Sequence, residues 1–150
     1  MIRPITREDR ETYLTLCREF YHSPAVLHPV PEEYFAWTFD RMAEGSPFVK
    51  GYLLEQDGNI AGYALLAVTF SQEAGGEVLW IEELYLREEC RGKGLGTELF
   101  AYLETQRPGA VTRFRLELEP DNLDARRLYE KVGFSELGYR QMVREFPEKT

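Results

Sequence analysis

At 150 residues, 43% apolar and 29% charged, the chain has the length of one domain (residues 1–150) and the composition of a globular one with a real core, which excludes a long disordered tail. Its 26 acidic against 18 basic side chains, a net charge of −8, argue against nucleic-acid binding and for a cationic partner. Two cysteines without metal spacing, no signal-like N-terminus and no bilayer-length apolar run exclude a disulfide framework and membrane contact, and point to the cytoplasm.

Met1 to Ile5 predicts a short first strand. Thr6 caps the helix that follows, with Asp9 and Glu11 early in it, where the dipole favours acids. Tyr13, Leu14, Cys17, Phe20 and Tyr21 recur there at helical spacing. A proline-punctuated loop follows, its His22 and His28 too sparse to be metal ligands, and then a second helix from about Glu32 to Met42, ended by Gly45-Ser46-Pro47.

Three strands are predicted next. Phe48 to Glu55 turns through Gln56-Asp57-Gly58-Asn59, a hairpin signal, into Ile60 to Phe70. Ser71 to Glu77 is another turn and leads into Val78 to Leu86. A glycine turn, Arg91-Gly92-Lys93-Gly94-Leu95-Gly96, opens a helix to Gln106 that is apolar at Leu95, Leu99 and Leu103. Val111 to Glu119 is a fifth strand. A short helix capped by Asp121 or Asn122 runs to Val132 and closes on Gly133, and Phe134 to Phe146 finishes as strand. This order implies a mixed sheet with helices on both faces.

Glycines at a strand-to-helix junction aim backbone N–H groups at one point, where the helix N-terminus adds about half a positive charge; the natural occupant is a diphosphate. A nucleotide P-loop needs its lysine after the last glycine, whereas Lys93 lies between glycines. A dinucleotide loop needs G-x-G-x-x-G near the first strand and an acid about 20 residues on. This chain has G-x-G-x-G, and late.

R-x-x-G-x-G after a strand (Arg91, Gly94, Gly96) instead resembles the coenzyme A pyrophosphate loop of the GCN5-related N-acetyltransferase (GNAT) superfamily. Asn122 to Phe134 is similar to that family's N-x-x-A-x-x-L-Y-x-x-x-G-F segment almost position for position, and the resemblance covers essentially the whole chain. It implies a GNAT-type mixed α/β fold, with a mostly antiparallel sheet of six or seven strands. It also implies acetyl-CoA as cosubstrate without a metal, and a homodimer. The backbone of Arg91, Gly92, Lys93, Gly94, Leu95 and Gly96 and the Thr97 hydroxyl would hold the pyrophosphate. Leu84, Tyr85 and Leu86 would bond the pantetheine arm where their strand splays at a bulge. Asn122 would bind that arm or cap its helix, and Tyr129 would attend the thioester sulfur. Relatives usually show proline and an aromatic residue where this chain has Glu88-Glu89-Cys90; Cys90 reads as a packing substitution.

An amine with a pKa of about 10.4 must lose a proton before it attacks a thioester, at a cost of about 4.6 kcal/mol near pH 7 unless the site helps. Glu82 and Glu83 are the candidate bases. Alternation puts them on opposite faces, and a bulge swaps which one enters the cleft. The strand Trp80 to Leu86 resembles that of the spermidine/spermine acetyltransferase branch, and on that resemblance Glu82 is preferred. Arg113, Arg115, Glu117 and Glu119 give the fifth strand a polar face, which predicts a cleft or a subunit interface. Glu117, Tyr21 and Tyr34 are candidates for holding the acceptor, with His22, Glu32 and Glu33 beside them. The expected reaction is acetyl transfer to a small cationic amine, such as a polyamine or amino acid, by direct attack. The rivals are a peptide or protein-N-terminus acetyltransferase, an aminoglycoside acetyltransferase and a non-catalytic acyl-CoA sensor.

Overall fold

The computed structural model describes residues 1–146. Strand β1 (Ile2–Pro4) leads through a 3-10 turn (Arg7–Asp9) into helix α1 (Arg10–Tyr21) and then α2 (Glu32–Ala43). Strands β2 (Val49–Gln56), β3 (Asn59–Ser71) and β4 (Gly76–Leu86) follow as a meander. A 3-10 turn (Glu88–Cys90) precedes α3 (Leu95–Gln106), then β5 (Val111–Leu116) and α4 (Leu123–Lys131). The sheet runs β1-β2-β3-β4-β5, antiparallel except for the parallel pair β4 and β5.

The central strands are apolar on both faces because helices cover both. Tyr13, Leu16 and Cys17 of α1 and Phe35 and Phe39 of α2 bury Leu53 and Tyr63 on one side. Leu95, Leu99 and Leu103 of α3 bury Leu54, Ala64, Leu66, Leu79 and Ile81 on the other. The β2–β3 turn takes the expected form, since Asp57 (φ 51°) and Gly58 (φ 78°) are both left-handed, as a tight hairpin requires. Thr6 stands before the 3-10 turn rather than before α1; its backbone N–H donates 2.7 Å to Asp9, which also takes both ends of the Arg3 guanidinium at 2.8 and 2.9 Å.

Two irregularities shape the middle of the sheet. Leu65 pairs with Glu83 and Leu66 with Ile81, so Glu82 is an extra residue in β4, a β-bulge. The cause is visible in the side chains: Leu79 and Ile81 pack towards α3, and so do Leu84 and Leu86. Strict alternation cannot put odd and even positions on one face, and one inserted residue reconciles them. In addition, β5 leaves β4 after the pair Ile81–Leu116, while β4 continues to Leu86.

The fold departs from expectation at its C-terminal end. The fifth strand stops at Leu116, short of Glu119, and 134–146 forms no strand, so the sheet has five strands instead of six or seven. Apolar residues settle into a strand only where a core receives one face of it. Leu137, Tyr139 and Met142 are instead 42%, 64% and 99% exposed. This segment is tied by side chains: Phe134 packs on Phe100, and Tyr139 donates to Glu73 (2.8 Å), which also receives Arg113 (3.1 Å). A cavity of about 1690 Å³ separates it from β5.

Candidate active site

The glycine turn splits into two physical roles. Gly92 (φ 72°) and Gly94 (φ 86°) are left-handed with open space where a Cβ would lie, so the backbone itself favours glycine there. Gly94 is the N-cap of α3, and the first bond within the helix is Glu98 N to Gly94 O at 2.9 Å. The N–H groups of Leu95, Gly96 and Thr97 therefore lack helical acceptors and gather at the positive end of a three-turn helix. The bare Cα of Gly96, which the resemblance implies leaves room for phosphate oxygens, faces another helix. A Cβ there would stand 2.7 Å from Cδ2 of Leu128, so its missing side chain makes room for α4. Leu95 offers only backbone, since its side chain is core. Arg91 Nε donates 2.9 Å to Leu86 O, which ties the turn to the end of β4, while the Lys93 side chain is exposed.

Arg87 N donates to Ala61 O at 2.8 Å, in register with the β3–β4 ladder. By antiparallel alternation Tyr85 and Glu83 turn their backbone groups to β3, and Leu84 and Leu86 turn theirs to the side β5 has left. Of the three arm-binding candidates, Leu84 and Leu86 present backbone on that side. Tyr85 instead sends its hydroxyl to Glu19 of α1 (3.2 Å), which Arg87 grips at 2.9 and 3.0 Å.

The two strand acids have different surroundings. Glu82, on the bulge, is exposed at the mouth of the opening and accepts no side-chain hydrogen bond among the described residues. Its carboxyl is nevertheless raised above the usual range, first by desolvation and then by the like charges of Glu117 and Glu83. Glu83 faces α1. One oxygen accepts the Tyr63 hydroxyl at 2.6 Å and the other accepts the Tyr21 hydroxyl. Tyr21, the last residue of α1, is packed between Phe20 (5.2 Å) and Phe35 of α2 (5.0 Å). The structure thus gathers Tyr21, Glu82, Glu83 and Glu117 at the point where β5 leaves β4. Tyr34 does not join them: it stacks on Trp37 along α2, and its neighbour Phe35 makes the contact with Tyr21.

Helix α4 brings the remaining candidates. Asn122 caps it, its side-chain oxygen accepting Ala125 N at 3.1 Å. Tyr129 is half-buried against Phe100 and Phe134, with ring centroids 5.9 and 5.8 Å away, and burial raises its phenol above the usual value. Tyr129 shares a cavity wall with Leu116 and Glu117. Tyr63, Glu19 and Arg87 carry no motif that marks them in the sequence. Only the pairing of Tyr63 beside the bulge shows where its hydroxyl goes.

Residues 9–134 match the acetyltransferase (GNAT) family, and the chain belongs to it. A protein of Lactobacillus delbrueckii subsp. lactis, described as an uncharacterized N-acetyltransferase in the pepI 3′ region, is 33% identical over 87 residues, 56% of this chain and 50% of that protein. The chain thus spans about half the length of the curated relative it matches. Among solved structures, a possible acetyltransferase from Clostridium difficile 630 superposes with a TM-score of 0.82 at 19% identity, over 99% of this chain and 98% of that one. AAC(6')-Iy, in complex with the bisubstrate analog CoA-S-monomethyl-acetylneamine, superposes with a TM-score of 0.79 at 15% identity, over 97% of each chain. At these identities the likeness concerns the fold. Among the described residues, no helix is long and apolar enough to cross a membrane.

Proposed function

We propose that residues 1–150 act as one acetyl-CoA-dependent N-acetyltransferase domain whose acceptor is a small cationic amine. One observation carries the reading: the outward backbone of Leu84 and Leu86 runs from the exposed Glu82 to the free N–H groups of Leu95, Gly96 and Thr97. That is a line of donors and acceptors with an anion site at one end and a proton acceptor at the other. Acetyl-CoA, when bound, would supply the thioester, and coenzyme A would leave as the thiol. Leu84 and Leu86 bond the arm, the α3 N-terminus and the left-handed Gly92 and Gly94 hold the diphosphate, and Asn122 keeps α4 in place. Glu82, raised by its surroundings, takes the ammonium proton, directly or through water. Tyr129, whose burial keeps its proton on, donates a hydrogen bond where negative charge develops on sulfur.

The charge of −8 and the acids at the opening favour a cation with more than one amine. Polyamines and amino acids fit, and an acetylneamine group in the analog bound to AAC(6')-Iy makes aminoglycosides the rival class. A peptide or protein acceptor is a second rival, and a non-catalytic acyl-CoA sensor a third. A cytoplasmic homodimer belongs to the same proposal; β5, whose outer edge pairs with no strand among the described residues, is the edge for a second copy. Calorimetry with acetyl-CoA and a turnover panel of polyamines, amino acids, aminoglycosides and N-terminal peptides test the reading. Activity confined to peptides refutes the small acceptor, and tight coenzyme binding without turnover on any amine refutes the enzyme.

A further inference from the structure

Glu82 and Glu83 are adjacent carboxylates on one strand, yet one is exposed without a side-chain partner among the described residues and the other is clamped. The clamp comes from residues far apart in sequence. Tyr63, on β3, is fully buried; its ring packs on Tyr13 (5.5 Å, edge-on) and Phe20 (6.2 Å), and its hydroxyl points to Glu83 at 2.6 Å. Tyr21 arrives from the end of α1 and is braced by Phe20 and Phe35. Each Glu83 oxygen accepts one phenol, and the two bonds together fix the direction of the carboxylate. Both phenols are held above their usual range, chiefly by burial and further by Glu83 itself, so they remain donors.

We propose that Tyr63 and Tyr21 are positioning residues that hold the Glu83 carboxylate against α1 and out of the opening, so that Glu82 alone meets the acceptor's proton. The inference rests on the acetyltransferase reading for its purpose, but the division of labour is a property of the free protein. Among the described residues, Glu82 is faced by Glu83 on its own strand, Glu117 beyond the end of β5 and the Tyr21 phenol from α1. Glu83, set in place by the two phenols, favours the protonated form of Glu82 through its charge and so makes Glu82 a stronger base. The bulge is what makes this division possible. It turns Glu83 into the α1 face, where phenols stand, and leaves Glu82 at the opening. No covalent step is involved; a proton moves from the ammonium to Glu82 and on to solvent.

The test is a pH titration of the free protein, followed by the side-chain carboxyl carbons of Glu82 and Glu83 in ¹³C NMR, on the wild type, Tyr63→Phe and Glu83→Gln. Tyr63→Phe keeps the ring and removes the hydroxyl. In the wild type the Glu82 carbon reports one clean step. In Glu83→Gln that step moves to lower pH. In Tyr63→Phe that step moves to higher pH, because the carboxylate released from Tyr63 turns towards the opening and closer to Glu82. The acidic limb of kcat/KM for the amine moves with the Glu82 carbon in each variant, while coenzyme affinity stays within about twofold of wild type. An unchanged Glu82 titration in folded Tyr63→Phe or Glu83→Gln overturns the proposal. If the carbons behave as stated and no amine is acetylated, the clamp stands and the acetyltransferase reading falls.

Discussion

Gly96→Ala separates two roles that a glycine in this turn can have. In the structure the added methyl lies 2.7 Å from Cδ2 of Leu128, about 1 Å inside an ordinary carbon–carbon contact. Leu128 must yield, and with it the start of the turn that carries Tyr129. Overpacking by one methyl costs about 1 kcal/mol or somewhat more, and replacing glycine by alanine in a helix returns up to about 1 kcal/mol. Stability therefore changes little, by less than about 1 kcal/mol in chemical denaturation. Coenzyme affinity, measured by calorimetry, stays within about twofold, because the N–H of residue 96 is unaltered and its Cβ points at α4. Turnover falls about tenfold, because Tyr129 is displaced. Leu128→Ala in the same chain removes the clashing atoms, so the double variant turns over faster than the product of the two single effects. A tenfold loss of coenzyme affinity with kcat intact refutes this reasoning and returns Gly96 to a phosphate-approach role.

Other outcomes follow from the same geometry. Tyr129→Phe lowers kcat by about 10- to 100-fold with coenzyme Kd unchanged, checked by steady-state kinetics beside calorimetry. Gly62→Ala drives a Cβ into the Tyr85 backbone carbonyl, which cannot yield as a side chain would, and costs at least about 2 kcal/mol or prevents folding, as read by thermal unfolding. Asp9, 8% exposed, has its carboxyl lowered from 3.8 to about 2, chiefly by the Arg3 hydrogen bonds. A depressed pKa adds stability that is complete above the unfolded value and lost as pH falls through the folded one. About 2 kcal/mol therefore disappears between roughly pH 4 and 2. Asp9→Asn removes this part of the pH dependence in urea titrations, and an identical slope in both proteins contradicts the assignment.

Most of the site is legible in the sequence because its parts are local. The hairpin at Asp57-Gly58, the α3 N-terminus at Gly94 and the cap at Asn122 each depend on one or two residues and their neighbours. The bulge is also written in the sequence, though less openly. The apolar positions slip from Leu79 and Ile81 to Leu84 and Leu86, which leaves the extra residue at 82 or 83, and only the pairing with β3 puts it at Glu82. What alternation alone does not reveal is the direction of Glu83, because its partners Tyr21 and Tyr63 lie 62 and 20 residues away. The packing role of Gly96 is hidden for a similar reason: its neighbour is Leu128, on another helix. The stretch 134–146 differs for another cause. Its apolar residues (Phe134, Leu137, Tyr139, Met142, Val143 and Phe146) do not alternate, and side chains such as Tyr139 and Phe134 tie the segment without backbone pairing to the edge of β5.

The central claim is that coenzyme A lies along the outward edge of β4 and ends at the start of α3. Amide hydrogen exchange resolved by residue, with and without coenzyme A, tests it most directly. The account predicts new protection at Leu84, Leu86 and the Leu95 to Thr97 amides, and little change at Tyr85, whose backbone is already paired to β3. Protection that appears instead along β5 and residues 134–141, with the β4 edge unchanged, contradicts it.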